Sequence, residues 1–147
     1  MAKKQATKAK RRSGAARAKR QEFAVPGLIK PISHYTDAVR FGDLLFISGL
    51  TGHDAAGNLV SDDVVAQTRQ IMEQMKKVLS AAGASFRDVL KVTVFLTDVD
   101  DRTKINPVRA AYFGKAKPAS TLVEVSRLAL PGMKVEIEAI AGLPDPE

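Results

Sequence analysis

Residues 134–141 read KVEIEAIA, and this stretch decides the type of fold. Apolar side chains occupy every second position, at Val135, Ile137, Ala139 and Ala141. Glu136 and Glu138 lie between them. Because successive side chains of a strand point to opposite faces, the alternation predicts a strand with one face in a core and one acidic face. Another element of the fold must pack on the apolar face.

A long helix is the predicted cover. Asp62 and Asp63 suit its N-terminus, where carboxylates can cap free N–H groups and oppose the helix dipole. Apolar residues then recur at three- and four-residue steps, which marks one buried stripe: Val64, Ile71, Met75, Val78, Leu79 and Ala82. Gly83 is the natural C-terminal stop.

The rest of the chain adds strands and a second helix. Apolar runs at 35–41 and 44–48 flank Gly42-Asp43 and predict a β-hairpin. Further strands are predicted at 89–96 and 121–128. Asn106 is predicted to cap a helix that has Pro107 in its first position and runs to Phe113.

We therefore expect an α+β domain with the order β-β-(β)-α-β-α-β-β, in which two helices pack on one face of a mixed sheet. The other face combines Glu136 and Glu138 with apolar groups. Such a face is either solvated or buried against another subunit, and oligomerisation would create a concave site near the acids.

The net charge of +7 belongs to the N-terminus. Nine Lys and Arg residues and one Glu give the first 22 residues +8, so the remainder is almost neutral. That segment has almost nothing to bury, so residues 1–24 are predicted to be a disordered basic tail. Residues 25–147 form the predicted domain.

Three interpretations of this tail stay open. It is a solubilising segment or a misassigned start, a nonspecific contact with nucleic acid or anionic surfaces, or an organellar transit peptide. It lacks the apolar face that a transit helix needs. The body has no basic stripe with interleaved aromatics, which argues against a nucleic-acid-binding domain.

Several classes of site are excluded by composition and motif. Cysteine is absent, which excludes disulfides, thiolate metal sites and a Cys nucleophile and favours a cytoplasmic protein. No apolar run approaches the length of a membrane span. His34 and His53 have no partner at helical spacing, so no metal site is expected. Phosphate-loop, dinucleotide and serine-elbow motifs are also missing, so the sequence shows none of these standard catalytic patterns.

Four residues and one short stretch remain as candidate parts of a site. Tyr35 offers a phenol near a strand start, Gly49 allows close backbone approach, Asn106 begins a helix and Glu136 lies on a strand face. The stretch 118–121 leads into a strand with free backbone groups. Taken singly, each has an ordinary structural explanation, and periodicity alone favours that explanation.

Together these pieces resemble the RidA/YjgF family of enamine/imine deaminases. The similarity covers about residues 31–143 and follows the family's order and spacing. It is carried by Tyr35-Thr-Asp-Ala-Val, Gly42-Asp-Leu-Leu-Phe-Ile-Ser-Gly49, Gln67-Thr-Arg-Gln, Leu79-Ser-Ala-Ala-Gly83, Val92-Thr-Val-Phe-Leu, Ile105-Asn106, Tyr112-Phe-Gly, Lys117-Pro-Ala, Val123-Glu-Val and Val135-Glu-Ile-Glu-Ala-Ile-Ala141.

The resemblance implies a chorismate mutase-like fold, and a homotrimer with a β-barrel-like centre and clefts between subunits. It implies hydrolysis of a small-molecule imine or enamine to an oxo compound and ammonia, without metal or cofactor. Tyr35, Gly49 and Asn106 match pocket positions, and Glu136 matches the acid that positions or activates water. Backbone groups from Ser120 to Leu122 would orient the substrate, and the Ser120 and Thr121 hydroxyls would suit a polar group on it.

One departure affects the expected substrate. In active deaminases of the family an Arg follows Pro-Ala and clamps the substrate carboxylate, whereas this chain has Ser120 there. The hypothesis is therefore a deaminase with altered substrate choice, acting on a 2-imino acid or a larger enamine from ring cleavage. The alternative is a non-catalytic trimer that binds and buffers or regulates a small metabolite.

Overall fold

Six strands form one mixed sheet in the order β1-β2-β3-β6-β4-β5, and two helices pack on one of its faces. The computed structural model describes residues 16–145. The elements are β1 (Arg20–Phe23), β2 (Ala38–Phe41), β3 (Leu44–Thr51), α1 (Val64–Ala81), β4 (Val89–Leu96), α2 (Arg102–Phe113), β5 (Ala119–Glu124) and β6 (Val135–Gly142). The α+β fold class predicted from the sequence is confirmed.

The stretch that decided the prediction is a central strand. β6 pairs antiparallel with β3 on one side and with β4 on the other. Val135, Ile137 and Ala139 are buried in the core, as their alternation predicted. Glu136 and Glu138 point to the face away from the helices. β5 then joins the outer side of β4 in parallel, which requires the crossover through α2.

The predicted hairpin and long helix are also confirmed. Phe41 of β2 faces Leu44 of β3 across the turn, where Gly42 takes a φ of 61° that favours glycine. Asp63 caps α1, since its carboxylate accepts a hydrogen bond of 2.9 Å from the Ala66 amide. The stripe of α1 packs on the sheet, and Ile71, Met75, Val78 and Leu79 are fully buried.

The predicted boundary at residue 24 is wrong for the last residues of the expected tail. Residues 20–23 form β1 and pair with all four residues of β2. Asp37 supports this connection, because its buried carboxylate accepts a hydrogen bond of 2.7 Å from the Val25 amide. Composition missed this strand because its stabilisation comes from backbone pairing, with three of its four side chains exposed. The prediction for residues 1–15 lies outside the described residues.

The predicted start of the second helix is also wrong. α2 begins at Arg102, so Asn106 and Pro107 lie inside it. A short 3-10 turn over residues 99–101 leads directly into the helix, and Asp98 caps that turn by accepting from the Asp100 amide at 2.9 Å. Asp98 is therefore the capping residue, and the Asn106 side chain is available for other contacts.

The face away from the helices carries exposed apolar side chains. Leu44 and Phe46 of β3 are 39% and 44% exposed, and Val123 of β5 is 39% exposed. Glu138 and Lys91 lie on the same face. Isolated exposed apolar residues are ordinary, but several on one sheet face favour a surface that meets another chain. No helix within residues 16–145 is both long and apolar enough to span a bilayer.

Candidate functional site

A cavity of about 450 Å³ brings together three of the residues singled out in the sequence. Tyr35, Gly49 and Glu136 all line it. Its other walls come from the segment before β2, from β3 and from the loop before β6. The cavity is lined by a phenol, three carboxylate residues (Asp37, Glu136 and Glu138) and several apolar side chains, the mixture expected of a small-molecule pocket.

Glu136 and Gly49 are fitted to each other. A Cβ placed on Gly49 would lie 2.2 Å from Oε1 of Glu136 and 2.9 Å from its Cδ. The carboxylate therefore occupies the space that a side chain at position 49 would need. A β-bulge between Ile47 and Leu50 interrupts the pairing of β3 with β6 beside this contact.

The surroundings of Glu136 disfavour its charged form. Partial burial raises the pKa of the Glu136 carboxyl, and the negative charge of Glu138 on the same face raises it further. A carboxyl group of this kind takes up and releases a proton closer to neutral pH than an ordinary glutamate does. The cavity thus contains a candidate acid or base.

Hydrogen bonds fix the segment that carries Tyr35. The Ser48 amide donates to the Asp37 carbonyl at 3.0 Å, and Ser48 Oγ donates to the Thr36 carbonyl at 2.5 Å. Thr36 Oγ1 donates in turn to the Phe23 carbonyl at 2.8 Å. The phenol therefore projects from a backbone tied to β1 and β3.

The other predicted site residues form a second group at the edge of the sheet. Arg109 of α2 donates from Nη2 to Ser120 Oγ at 3.0 Å and from Nη1 to Asn106 Oδ1 at 3.4 Å. Asn106 and Ser120 thus share one guanidinium. Sequence reasoning missed Arg109. Its spacing of three from Asn106 on a helix was visible, but only the position of α2 relative to the start of β5 brings it to Ser120.

Thr121 and Leu122 lie on opposite faces of β5. Thr121 Oγ1 accepts a hydrogen bond from Lys91 on the face away from the helices. Leu122 pairs with the buried Val94 and packs against the core. Its side chain is thus a packing residue, while the backbone of β5 has an outer edge without a strand neighbour in the described chain.

The two groups do not meet within one chain. Ser120 pairs with the buried Val92 and so lies on the helix face, whereas Glu136 lies on the opposite face of β6, with β4 between the two strands. One cleft containing both groups therefore requires a second copy of the chain. Among residues 16–145 no cluster of three His, Cys, Asp or Glu side chains could hold a metal ion.

The family model described as Endoribonuclease L-PSP matches residues 27–143. A RutC family protein of Pyrococcus horikoshii is 50% identical over 113 residues, which cover 76% of this chain and 89% of that protein. The human 2-iminobutanoate/2-iminopropanoate deaminase is 39% identical over 118 residues, covering 79% of this chain and 82% of the human one.

A solved structure agrees with these sequence relatives. RidA from the Antarctic bacterium Psychrobacter sp. PAMC 21119 superposes with a TM-score of 0.79 at 34% identity, covering 84% of this chain and 99% of that one. Together with the mixed sheet and its two helices, the matches place the chain in a family that includes imine deaminases. The chain belongs to the endoribonuclease L-PSP family, also called the RidA/YjgF family.

Proposed function

We propose that this protein hydrolyses the C=N bond of a small imine, or of its enamine tautomer, to give an oxo compound and ammonia. The observation that carries the proposal is the Glu136 carboxylate, half-buried in the cavity wall against Gly49, with a raised pKa. The human relative, named as an imine deaminase, supports the same reaction class.

Glu136 would act as the proton-transfer group. Its carboxylate accepts a proton from water as the water oxygen attacks the imine carbon, which forms a tetrahedral carbinolamine. The same carboxyl passes this proton to the nitrogen, which completes the neutral carbinolamine. The carboxylate then accepts the hydroxyl proton of the carbinolamine and transfers it to the nitrogen as the C–N bond breaks, so that ammonia leaves and the carbonyl forms. One water is consumed, and Glu136 ends in its starting state.

The test is an assay on imines generated in the cuvette by an amino-acid oxidase, with the loss of imine followed by competition with a trapping amine. Glu136→Gln keeps the size of the side chain but cannot accept a proton, and we expect the rate to fall on the order of a hundredfold or more. The matched control is Asp62→Asn, which changes an exposed carboxylate that does not line the cavity.

Two results would contradict the proposal. If Glu136→Gln left turnover unchanged, Glu136 would not handle the water. If the unmutated protein turned over no imine but bound oxo acids, the non-catalytic metabolite binder would replace the enzyme. Ser120, at the position where the family resemblance predicts an Arg in an active deaminase, is the observation that favours this second function.

The active form is proposed to be a homotrimer with clefts between subunits. Support comes from the separation of Glu136 and Ser120 onto opposite faces and from the exposed apolar side chains of Leu44, Phe46 and Val123 on the face away from the helices. Burying that face against neighbouring copies would form the barrel-like centre and bring the unpaired edge of β5 to a second subunit. Light scattering on the purified chain tests the assembly directly.

A further inference from the structure

Arg109 is a guanidinium without a carboxylate partner among the residues that the structure describes. The ion pairs within 4.0 Å in residues 16–145 involve Arg20, Arg102 and Lys104. Arg109 contacts the neutral oxygens of Asn106 and Ser120 instead. Its charge is therefore not neutralised by the described chain.

The side chain is also partly removed from water. Arg109 is half-buried, next to the buried Val108 on α2, and burial lowers the pKa of its guanidinium. A desolvated cation without a counter-ion is unfavourable, and an incoming anion would relieve that cost. Half-burial also strengthens the attraction, because the field of the charge is screened less than at a fully exposed site.

The geometry of the contacts leaves the guanidinium fixed and still able to donate. Arg carries five N–H donors in a planar fork, and Asn106 and Ser120 use one donor on each terminal nitrogen. Two oxygens holding the group from two elements limit its rotation. A planar, oriented fork matches the two oxygens of a carboxylate better than it matches a single polar atom.

We propose that Arg109 is the carboxylate anchor of this protein, held in place by Asn106 and Ser120, so that the substrate is an anionic imine such as a 2-imino acid. Calling the bound anion a substrate rests on the proposed function, but binding of an anion at Arg109 does not depend on turnover. Arg109 would bind the carboxylate from one subunit while Glu136 of a second copy handles the water.

With Arg109 as the anchor, Ser120 has a different role from the one expected from the sequence. Serine at this position does not leave the site without a cation, because α2 supplies a guanidinium 3.0 Å from its hydroxyl. Ser120 and Asn106 act as positioning residues for Arg109. The expected substrate is therefore one that bears a carboxylate.

Binding can be tested without catalysis. Calorimetry with 2-oxobutanoate and with the uncharged 2-oxobutanamide compares one molecular shape with and without the negative charge. We expect the unmutated chain to favour the acid and Arg109→Gln to lose affinity for the acid on the order of tenfold or more, with little change for the amide. Arg102→Gln, which removes an exposed cation from the same helix, should leave both affinities unchanged.

Transposing the cation provides a second, independent test. The double variant Arg109→Ser with Ser120→Arg exchanges the two interacting groups, and we expect it to recover the preference for the acid. A purely structural role for Arg109 would give no recovery. Thermal unfolding of each variant confirms that the compared proteins are folded.

The outcomes separate this inference from the proposed function. Glu136→Gln should bind 2-oxobutanoate normally while losing turnover. If the acid binds in a way that depends on Arg109 but the unmutated chain turns over no imine, the result supports Arg109 as the anchor and contradicts the proposed enzymatic activity. Equal affinity of unmutated chain and Arg109→Gln for the acid overturns the anchor, whether or not the imine is hydrolysed.

Discussion

The carboxylate of Glu136 shares its sheet face with Glu138, and the two residues together set the pH range of the proposed reaction. Glu136 must be ionised to accept a proton from water. Because burial and then the charge of Glu138 raise its pKa, the rate should fall in acid at a pH above the value of about 4.3 for an unperturbed glutamate.

Glu138→Gln removes the second of these causes. The acid limb of kcat/KM should then move to lower pH, but not as far as 4.3, because the burial of Glu136 persists. Profiles of both proteins between about pH 4 and 9 measure this shift, with Asp62→Asn as the exposed control. Superimposable profiles for Glu138→Gln and the unmutated protein would rule out the coupling.

Gly49 and Gly52 offer a matched pair of substitutions with opposite expected effects. In Gly49→Ala the new Cβ meets the flexible end of Glu136, so the carboxylate should move aside, with a large loss of rate and little loss of stability. In Gly52→Ala the Cβ meets the Gln67 backbone at 2.9 Å, which cannot yield easily. That variant should lose about 1–3 kcal/mol of unfolding free energy.

Urea unfolding and the deamination assay on both variants measure the two effects. The expected pattern is a crossed one, in which stability and rate respond to different glycines. A stable Gly49→Ala protein with normal turnover would mean that the position of Glu136 against Gly49 has no role in the reaction.

At the scale of elements, the strand and the helix that are buried against the core could be predicted from the sequence, whereas other elements were missed or misplaced. The alternation over 134–141 and the apolar steps of α1 predicted β6 and the helix correctly, because burial against a core imposes both patterns. β1 could not be predicted this way, since three of its four side chains face solvent and it pairs with the backbone edge of β2. The start of α2 was misplaced because two capping signals compete within eight residues of each other.

The candidate site was likewise predictable only in part. Tyr35, Gly49 and Glu136 were singled out from sequence, and one cavity of the structure collects them. Arg109 was missed because its contact with Ser120 depends on where α2 lies relative to β5, which no local pattern encodes. Whether these residues act as predicted stays a prediction.

β1 yields a prediction about truncation. Deleting residues 1–24 removes its pairing with β2 and the contact from Phe23 to Thr36, so the edge of β2 becomes exposed. We expect a lower Tm and a greater tendency to aggregate, because an open strand edge is a template for pairing with other chains. Deleting residues 1–15 alone removes none of these contacts and serves as the control. Equal Tm values for the two truncations would show that β1 adds nothing to stability.

At the scale of the whole molecule, opposite faces predict a site shared between copies. Assemblies made only of Arg109→Gln subunits, or only of Glu136→Gln subunits, should each have a strongly reduced rate at low substrate concentration. In a mixed trimer, one cleft joins the intact Arg109 of one subunit to the intact Glu136 of another. Co-expression with two affinity tags should then recover roughly one third of the unmutated rate.

This recovery distinguishes the two arrangements of the site. If Arg109 and Glu136 served one site within a single chain, every site of a mixed assembly would carry one lesion. Isolated mixed trimers without activity would therefore contradict the shared cleft. Assemblies of either variant that retain full activity alone would contradict the roles of the residues themselves.

The close fit of Gly49 to Glu136 also has a consequence for how this protein can change over generations. An alanine at position 49 and a carboxylate in its present place at position 136 exclude each other. In a lineage that lost the acid first, a side chain at 49 would become harmless and could accumulate by drift. Regaining the acid would then fail until the glycine also returned. The contact thus acts as an epistatic ratchet, in which loss of the chemistry is one mutation away and its recovery is two.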